Sequence, residues 1–178
     1  MRLVPALTTD VGDVVALVES AFRGETSRAG WTTEADLLDG RRTGPDEIEA
    51  IVADPGQRIL LLRDAGDELV ASVVLRRDRD SAWLGMLAIR PVLQGRGTGR
   101  AMLAAAEGWV AEHWGARRMR MTVIAQRAEL IAWYERRGYR RTGETAPFFY
   151  GDPRFGLPKR DDLYFVVLEK TLTGISAS

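Results

Sequence analysis

A short segment rich in glycine and arginine, RPVLQGRGTGRAM at residues 90–102, has the residue types that bind anions. It lies between an apolar run typical of a strand and a stretch with helical spacing, so the free N–H groups of a helix N-terminus would meet there. These groups and the positive end of the helix dipole attract negative charge. Alternate glycines would let an anion approach the backbone, and Arg96 and Arg100 would add positive charge. The segment therefore predicts either a phosphate site or a glycine-rich turn without a ligand.

The spacing of the glycines argues against two nucleotide-binding motifs. A dinucleotide-binding loop needs Gly-x-Gly-x-x-Gly, whereas Gly95, Gly97 and Gly99 give Gly-x-Gly-x-Gly. A Walker A loop ends in Gly-Lys-Ser/Thr, and this segment contains no lysine. A phosphate ligand of this segment would therefore belong to another class.

The elements before this segment are a strand, several helices and further strands. RLVPAL predicts a first strand, and valines at helical spacing in TTDVGDVVALVESAFRG predict a first helix. Thr33 and Asp36 form a capping-box pattern and Pro45 precedes two acids, which together predict two short helices. RILLLRD and ELVASVVLRRD, joined by AGD, predict a hairpin, and SAWLGMLAI predicts the next strand.

The elements after this segment begin with a long helix from Thr98 to Trp114, which Gly115 is placed to end. RMRMTVI then predicts a strand, AELIAWYERR a helix, and YRRTGE and DLYFVVLEK two last strands. The long loop TAPFFYGDPRFGLPKRD separates these strands, and loops of this length are usually functional. The order predicts an α/β domain with a mixed, largely antiparallel sheet of six to seven strands flanked by helices.

The composition limits the class of protein. The 178 residues suffice for one full core, so a single domain over residues 1–178 is expected. Basic and acidic side chains are equal in number, 25 of each, which argues against nucleic-acid and membrane-surface partners. The absence of cysteine excludes disulfides, a thiolate nucleophile and cysteine-bound metals, and no metal is expected. No signal peptide or membrane-length apolar run is evident, which favours a soluble cytoplasmic protein.

Two motifs carry a resemblance to a known family. Gln94-x-x-Gly97-x-Gly99, after LAIRP and before a helix, resembles the Gln/Arg-x-x-Gly-x-Gly/Ala pyrophosphate loop of the GNAT superfamily of N-acetyltransferases. LIAWYERRGYRRTGE is similar to the Tyr-Glu-x-x-Gly-Phe/Tyr segment of that family. The order and spacing of the motifs agree, and the resemblance covers roughly residues 57–145. It implies a GNAT-like acyl-CoA N-acyltransferase fold.

The resemblance also implies a binding site for acetyl-CoA as co-substrate. In the family, the strand before the loop splays from its neighbour, and its free backbone groups bind the pantetheine arm and polarise the thioester. The pyrophosphate binds the N–H groups of the loop. The matching positions, expected to bind the cofactor, are Leu87, Ala88, Ile89, Gln94, Gly95, Arg96, Gly97, Thr98, Gly99 and Arg100. Many members also have an asparagine that contacts pantetheine. This chain has Gln126 and Arg127 there instead, either of which could replace the contact, and Arg127 is expected to bind the cofactor.

Tyr134 matches the family tyrosine that protonates the departing CoA thiolate. A phenol with a pKa near 10 can protonate a thiolate when geometry and driving force assist it. On the residues alone, Tyr134 is also explained as an amphipathic ring buried among apolar neighbours of its helix. His113, the only histidine, lies late in the long helix and suits packing or the helix C-terminus better than catalysis.

The acceptor side is less defined. An alkylamine is mostly protonated at neutral pH, so a carboxylate base is expected, and the candidates after the first helix are Glu25, Glu34 and Asp36. Acids at 34 and 36 are equally explained as first-turn residues of a helix. In the family, this region and the loop between the last strands flank the acceptor channel. Candidate lining residues are Glu25, Trp31, Phe148, Tyr150 and Phe155.

These observations favour an N-acetyltransferase that moves an acetyl group from acetyl-CoA directly to a primary amine. The long aromatic loop favours a small-molecule acceptor, and a protein or peptide amine is the alternative. An acyl-CoA-binding regulatory module without turnover is a further alternative, which the matching tyrosine disfavours. Many relatives are dimers, so a homodimer is an option that the resemblance leaves open.

Overall fold

The computed structural model describes residues 1–173, without the side chain of Phe155. Its strands are β1 (Arg2–Pro5), β2 (Leu38–Asp39), β3 (Gln57–Arg63), β4 (Leu69–Asp78), β5 (Ser81–Ile89), β6 (Arg118–Ile124), β7 (Arg140–Pro147), β8 (Leu157–Pro158) and β9 (Tyr164–Thr171). Its α-helices are α1 (Val11–Phe22), α2 (Gly24–Ser27), α3 (Pro45–Ala53), α4 (Thr98–Trp114) and α5 (Ala128–Glu135). No helix among residues 1–173 is long and apolar enough to cross a membrane.

Seven strands form one sheet in the order β1-β3-β4-β5-β6-β9-β7, and β2 pairs with β8 in a separate two-stranded sheet. Neighbours in the large sheet are antiparallel except β5 and β6, which are parallel. A parallel pair requires a crossover connection, and α4 lies in that connection. The predicted mixed, largely antiparallel sheet flanked by helices is confirmed.

Two apolar cores lie on opposite faces of the sheet. Successive side chains of a strand point to opposite faces. Accordingly, Ile59 and Leu61 pack with α1 and α3, whereas Leu60 and Leu62 pack in the core that contains residues of α4 and α5. Both faces of β3 are therefore buried, which explains its continuous apolar run.

The parallel strands β5 and β6 pair over only a short length. Ser81–Trp83 of β5 pair with Arg118–Arg120 of β6. Beyond these residues, the two strands do not pair with each other within the described chain. On its other side, β5 has a register shift against β4, and Met86 adopts a left-handed φ of 46° in the shifted part. This bulge bends the strand, and the end of β5 is unpaired along the edge that faces β6.

One predicted helix is wrong. The capping pattern at Thr33 does not begin a helix, because Thr33 Oγ1 accepts the N–H of Ala35 within a turn. Glu34, predicted to lie in an exposed first turn, is instead buried. Two short helices do follow α1, but the first is α2 at Gly24–Ser27 and does not begin at Thr33. Only α3 forms as predicted, with Pro45 at its start.

The long loop before β9 carries β8, which the sequence did not indicate. Leu157 and Pro158 pair with Asp39 and Leu38 of β2. This pairing fastens the long loop to the connection between α2 and α3. The two segments expected to flank the acceptor are therefore joined.

Candidate active site

The glycine loop between β5 and α4 has a backbone that glycine alone adopts readily. Gly95 and Gly97 have φ values of 75° and 87°, and Gly97 lies just before α4. A Cβ atom at either position would meet nothing within 4 Å, so the space beside the backbone is open. The first N–H groups of α4 have no helical partner. The loop is thus shaped to bind an anion on its backbone.

Gly99 has a different role from the other two glycines. A Cβ atom there would lie 3.5 Å from the ring of Trp133 and 3.6 Å from Ile89. These are ordinary contact distances, so Gly99 packs the start of α4 against α5 and the end of β5. The packing sets the direction in which the helix leaves the loop.

Gln94 fastens the loop to its surroundings. Its Nε2 donates a hydrogen bond to the carbonyl of Ile89 over 3.2 Å, while its Oε1 is buried without a partner among the described residues. The Gln94 amide lies against Gly30, where a Cβ atom would overlap it. Gln94 therefore positions the loop between β5 and the segment after α2.

A cavity of about 480 Å³ opens where β5 and β6 part. Its wall includes the glycine loop, Arg100, one face of α5 and residues of both strands. Leu87 and Ile89, two of the expected cofactor-binding residues, line it. Ala88 instead packs in the core on the α1 side, while Arg96 and Thr98 also lie outside the wall. Within residues 1–173, no group of three or more acidic or histidine side chains is arranged to bind a metal ion.

Tyr134 lies on α5 with its ring buried and part of its side chain on the cavity wall. Its ring contacts Trp133 and Tyr139 edge-on, at centroid distances of 5.0 and 5.6 Å. Its hydroxyl makes no hydrogen bond to any residue of the described chain. Burial raises the pKa of Tyr134 to about 12, against the opposing effect of Arg127 and Arg137. The hydroxyl is therefore protonated at neutral pH and free to donate.

Trp133 is held beside the glycine loop by Arg137. The guanidinium carbon of Arg137 lies 3.6 Å from the centre of the Trp133 ring, and Nη1 donates to the Trp133 carbonyl over 2.7 Å. Arg137 and Arg100 both line the cavity. This part of the wall is positively charged, which suits an anionic ligand.

Glu34 lines the cavity as expected, but its carboxylate is surrounded by arginines. Arg23 donates to its Oε2, Arg127 Nη1 donates to its Oε1 over 3.0 Å, and Arg42 Nε lies 3.9 Å away. Burial alone would raise the pKa of Glu34, but these three positive charges outweigh it and lower the pKa. A lowered pKa makes a carboxylate a weaker base, so this arrangement does not favour Glu34 as the base that the sequence suggested.

Arg127 was expected to replace a contact to CoA, and its guanidinium has other partners. Besides Glu34, it donates from Nη2 to the hydroxyl of Thr32 over 2.8 Å. Gln126 donates to the carbonyl of Asp162 over 2.6 Å. Arg127 is thus held by Glu34 and Thr32, although it lies on the cavity wall. Gln126 is held through its Nε2, while its Oε1 is buried without a partner among the described residues.

The remaining acceptor candidates divide between the cavity and the surface. Trp31 and Phe148 lie on the wall, together with Phe149 and Phe165, which the sequence had not singled out. Tyr150 does not, because its hydroxyl donates to the Arg160 carbonyl and accepts the Leu163 N–H. It anchors the long loop instead.

The other two acids lie outside the cavity. Glu25 and Asp36 are exposed and pair with Arg28 over 3.0 and 2.7 Å. The side chain of Phe155 lies outside the described part of the chain. The acceptor part of the wall thus combines aromatic rings with Glu34 and its arginines.

The chain belongs to the GNAT acetyltransferase family. The model of that family, described as Acetyltransferase (GNAT) family, matches residues 18–139 and so covers both motifs and most of the cavity wall. This confirms the resemblance. The protein is therefore an acetyltransferase of the GNAT type. A comparison with curated proteins found no match to its sequence.

Solved structures show the same fold. The ribosomal-protein-S18-alanine N-acetyltransferase from Escherichia coli has a TM-score of 0.70 at 16% identity, over 99% of this chain and 98% of that chain. A spermidine N-acetyltransferase from Vibrio cholerae, in complex with CoA and spermine, has a TM-score of 0.68 at 17% identity, over 96% and 95% of the two chains. At such low identity, the likeness supports the fold and leaves the acceptor of this protein open.

Proposed function

We propose that this protein transfers an acetyl group from acetyl-CoA to the primary amine of a small molecule. One observation carries the proposal: the glycine loop and Tyr134, whose hydroxyl has no partner among the described residues, both line the cavity between the parted strands. An anion-binding backbone and a proton donor on one wall are what a thioester of CoA needs. CoA is bound in the related spermidine N-acetyltransferase structure.

The donor would lie along the unpaired edge of β5. Beyond Trp83, the N–H and C=O groups on that edge have no partner in β6. Backbone groups away from water need hydrogen-bond partners, and the amides of pantetheine offer both donors and acceptors. The pyrophosphate would then reach the N–H groups of residues 94–99, with Arg100 and Arg137 beside it.

The reaction follows from these positions. The amine nitrogen bonds to the thioester carbon, and N–H groups of β5 stabilise the negative oxygen that forms there. The C–S bond then breaks, and the Tyr134 hydroxyl gives its proton to the departing thiolate. The proton released by the nitrogen passes to solvent, and Tyr134 is protonated again before the next cycle.

The cavity favours a small acceptor. The aromatic residues Trp31, Phe148 and Phe165 line the part of the cavity that the donor would leave to the acceptor. The pairing of β2 with β8 fastens the two segments that flank this part. A fastened, aromatic wall suits a compact amine better than a long peptide.

Thiol release from acetyl-CoA across a panel of small amines and peptides tests the proposal. We expect release that depends on at least one small amine, with the acetylated amine identified by mass. Release with peptides alone would point to a protein acceptor. If thiol release with every amine and peptide stays at the rate without enzyme while acetyl-CoA binds tightly, the protein would be a binding module without turnover.

A further inference from the structure

The acceptor part of the cavity contains an excess of positive charge. Arg23, Arg42 and Arg127 lie on its wall around the single buried carboxylate of Glu34. Three guanidiniums remain charged at any pH at which the protein is folded. One carboxylate balances only one of them.

Glu47 is the other acid on this wall, and it does not restore the balance. It is exposed, and its carboxylate accepts a hydrogen bond from the Thr43 hydroxyl over 2.6 Å. An exposed charge is screened by water and salt, whereas the side chains of Arg23 and Arg127 are almost fully buried. Glu19, outside the wall, is half-buried and accepts the N–H groups of Arg42 and Thr43 over 2.5 and 2.9 Å. Three guanidiniums thus face two carboxylates that are not fully exposed, and the net charge of these groups is positive.

Arg23 has an unused hydrogen-bonding edge. Its side chain is only 5% exposed, and its Nη1 donates to Glu34. Its Nε and Nη2 are buried and have no partner among the described residues. These two nitrogens share the edge of the guanidinium that binds a carboxylate through two parallel hydrogen bonds. Burying such donors without partners is costly. Nη2 lies beside Gly156 of the long loop, where a Cβ atom would be 3.0 Å from it, so Arg23 adds a positive charge that Glu34 alone offsets.

Arg42 is the arginine with most freedom to reach a ligand. Its side chain is 25% exposed, and its Nε lies 3.9 Å from Glu34, which is too long for a hydrogen bond. Its guanidinium lies over the ring of Phe22, at 5.5 Å from the ring centre. The Arg42 side chain makes no hydrogen bond within residues 1–173, so its donors are available to the cavity.

We propose that the acceptor amine also carries a carboxylate, as an amino acid does, and that Arg42 binds this carboxylate with the charge of Arg23 behind it. The inference rests on the proposed function and narrows its substrate class. A polyamine would meet three buried or half-buried guanidiniums and be repelled.

Matched pairs of amino acid and amide test this inference. L-Methionine and L-methioninamide, or L-phenylalanine and L-phenylalaninamide, present the same amine and side chain with and without the carboxylate. Their kcat/KM values are compared per concentration of free amine, because the amide has the less basic amino group. We expect at least one acid to exceed its amide tenfold or more, and spermidine to be a poor acceptor.

Two substitutions assign the preference to the arginine. Arg42→Gln should lower kcat/KM for the acid at least tenfold and leave the amide within twofold. Arg41→Gln, a neutralisation at the exposed neighbouring residue outside the cavity wall, should change neither. Arg23→Gln is less informative because Arg23 is buried and its loss can unfold the chain.

The outcomes separate this inference from the proposed function. Thermal shifts of the CoA-bound protein by acid and amide give a second readout that needs no turnover. The inference is overturned if no acid exceeds its amide in kcat/KM or in thermal shift. It is also overturned if the Arg42→Gln variant keeps the preference for the acid. If acetyl-CoA itself neither binds nor releases thiol with any amine, the proposed function fails as well.

Discussion

Arg127 donates a hydrogen bond from Nη1 to Oε1 of Glu34 over 3.0 Å, although 93 positions of the chain separate the two residues. The bond joins the turn after α2 to the residue that precedes α5, the helix that carries Tyr134. Both side chains are more than nine-tenths buried. The acceptor part of the cavity and the helix of the proposed acid are therefore held together by one buried ion pair.

Replacing Glu34 with Gln should destabilise the protein by about 3 kcal/mol, because the buried guanidiniums lose their counter-charge. Equilibrium urea unfolding at pH 7 measures this loss. The control is Glu25→Gln, which removes an acid whose side chain is 91% exposed and which pairs only at the surface. The free energy of unfolding of Glu25→Gln should remain close to that of the parent protein. An equal, small effect of both substitutions would contradict the structural role given to Glu34.

The same substitution should change the acid limb of the stability profile. The pKa of Glu34 is lower in the folded protein than its ordinary value of 4.5. Its stabilising contribution is therefore complete above about pH 4.5 and is lost as the pH falls through the folded-state pKa. The unfolding free energies of the parent and of Glu34→Gln should converge in acid. A difference that stays constant down to acid unfolding would show that ionisation of Glu34 contributes nothing.

Replacing Tyr134 with Phe should lower kcat about a hundredfold while acetyl-CoA affinity changes little, because only the proton donor is lost. Steady-state kinetics and calorimetric titration of acetyl-CoA measure the two quantities. Tyr139→Phe is the matched control, since the Tyr139 ring lies 5.6 Å from Tyr134 while its hydroxyl bonds to Glu107 over 2.8 Å. Full turnover in Tyr134→Phe with a good acceptor would remove Tyr134 from the mechanism.

The pH dependence of kcat/KM should rise through the alkaline range without a descending limb from Tyr134 below about pH 11. The pKa of Tyr134 is raised to about 12 by burial, so its hydroxyl keeps its proton while the acceptor amine loses its own. Assays in overlapping buffers, with circular dichroism to confirm folding, give the profile. A loss of activity with an apparent pKa between 8 and 10 in folded protein would contradict this assignment.

Gly97→Ala and Gly115→Ala should be equally destabilising, by about 1 kcal/mol each, because both place an alanine in the left-handed region. Gly97 and Gly115 flank the two ends of α4 with φ values of 87° and 64°, and both have open space beside them. Only Gly97 lies on the cavity wall. Its replacement alone should weaken acetyl-CoA binding, by about tenfold or about 1.4 kcal/mol. Equal acetyl-CoA affinities in the two variants would contradict binding of the pyrophosphate at this loop.

The glycine loop and the helix of Tyr134, which we propose bind the donor, could be located from the sequence because their features are local. Gly95 and Gly97 supply positive φ angles next to a helix start, and Tyr134 lies four residues before the glycine that follows its helix. Such features depend on the order of neighbouring residues. The parting of β5 from β6 was expected only because the resemblance implied it. The left-handed φ of Met86 in the bulge of β5 could not be predicted, because methionine rarely adopts that conformation.

The acceptor side depends on contacts between distant residues, which no short pattern contains. Glu34 has the position of a helix-capping acid, yet burial against Arg23 and Arg127 determines its conformation. The pairing of β2 with β8 joins two-residue strands more than a hundred positions apart. In a chain with 25 basic residues, nothing local distinguished Arg23 or Arg42 from arginines at the surface.

Calorimetric titration of acetyl-CoA into the protein measures whether the cavity between β5 and β6 binds the acyl donor. The parted strands and the glycine loop predict one acetyl-CoA site per chain, with CoA as a competitor and with no comparable binding of NADH or ATP. Thermal unfolding should agree: of acetyl-CoA, NADH and ATP, only acetyl-CoA should raise the melting temperature of the protein. An absence of binding by acetyl-CoA and by every other CoA ester would contradict the assignment of this cavity to the acyl donor.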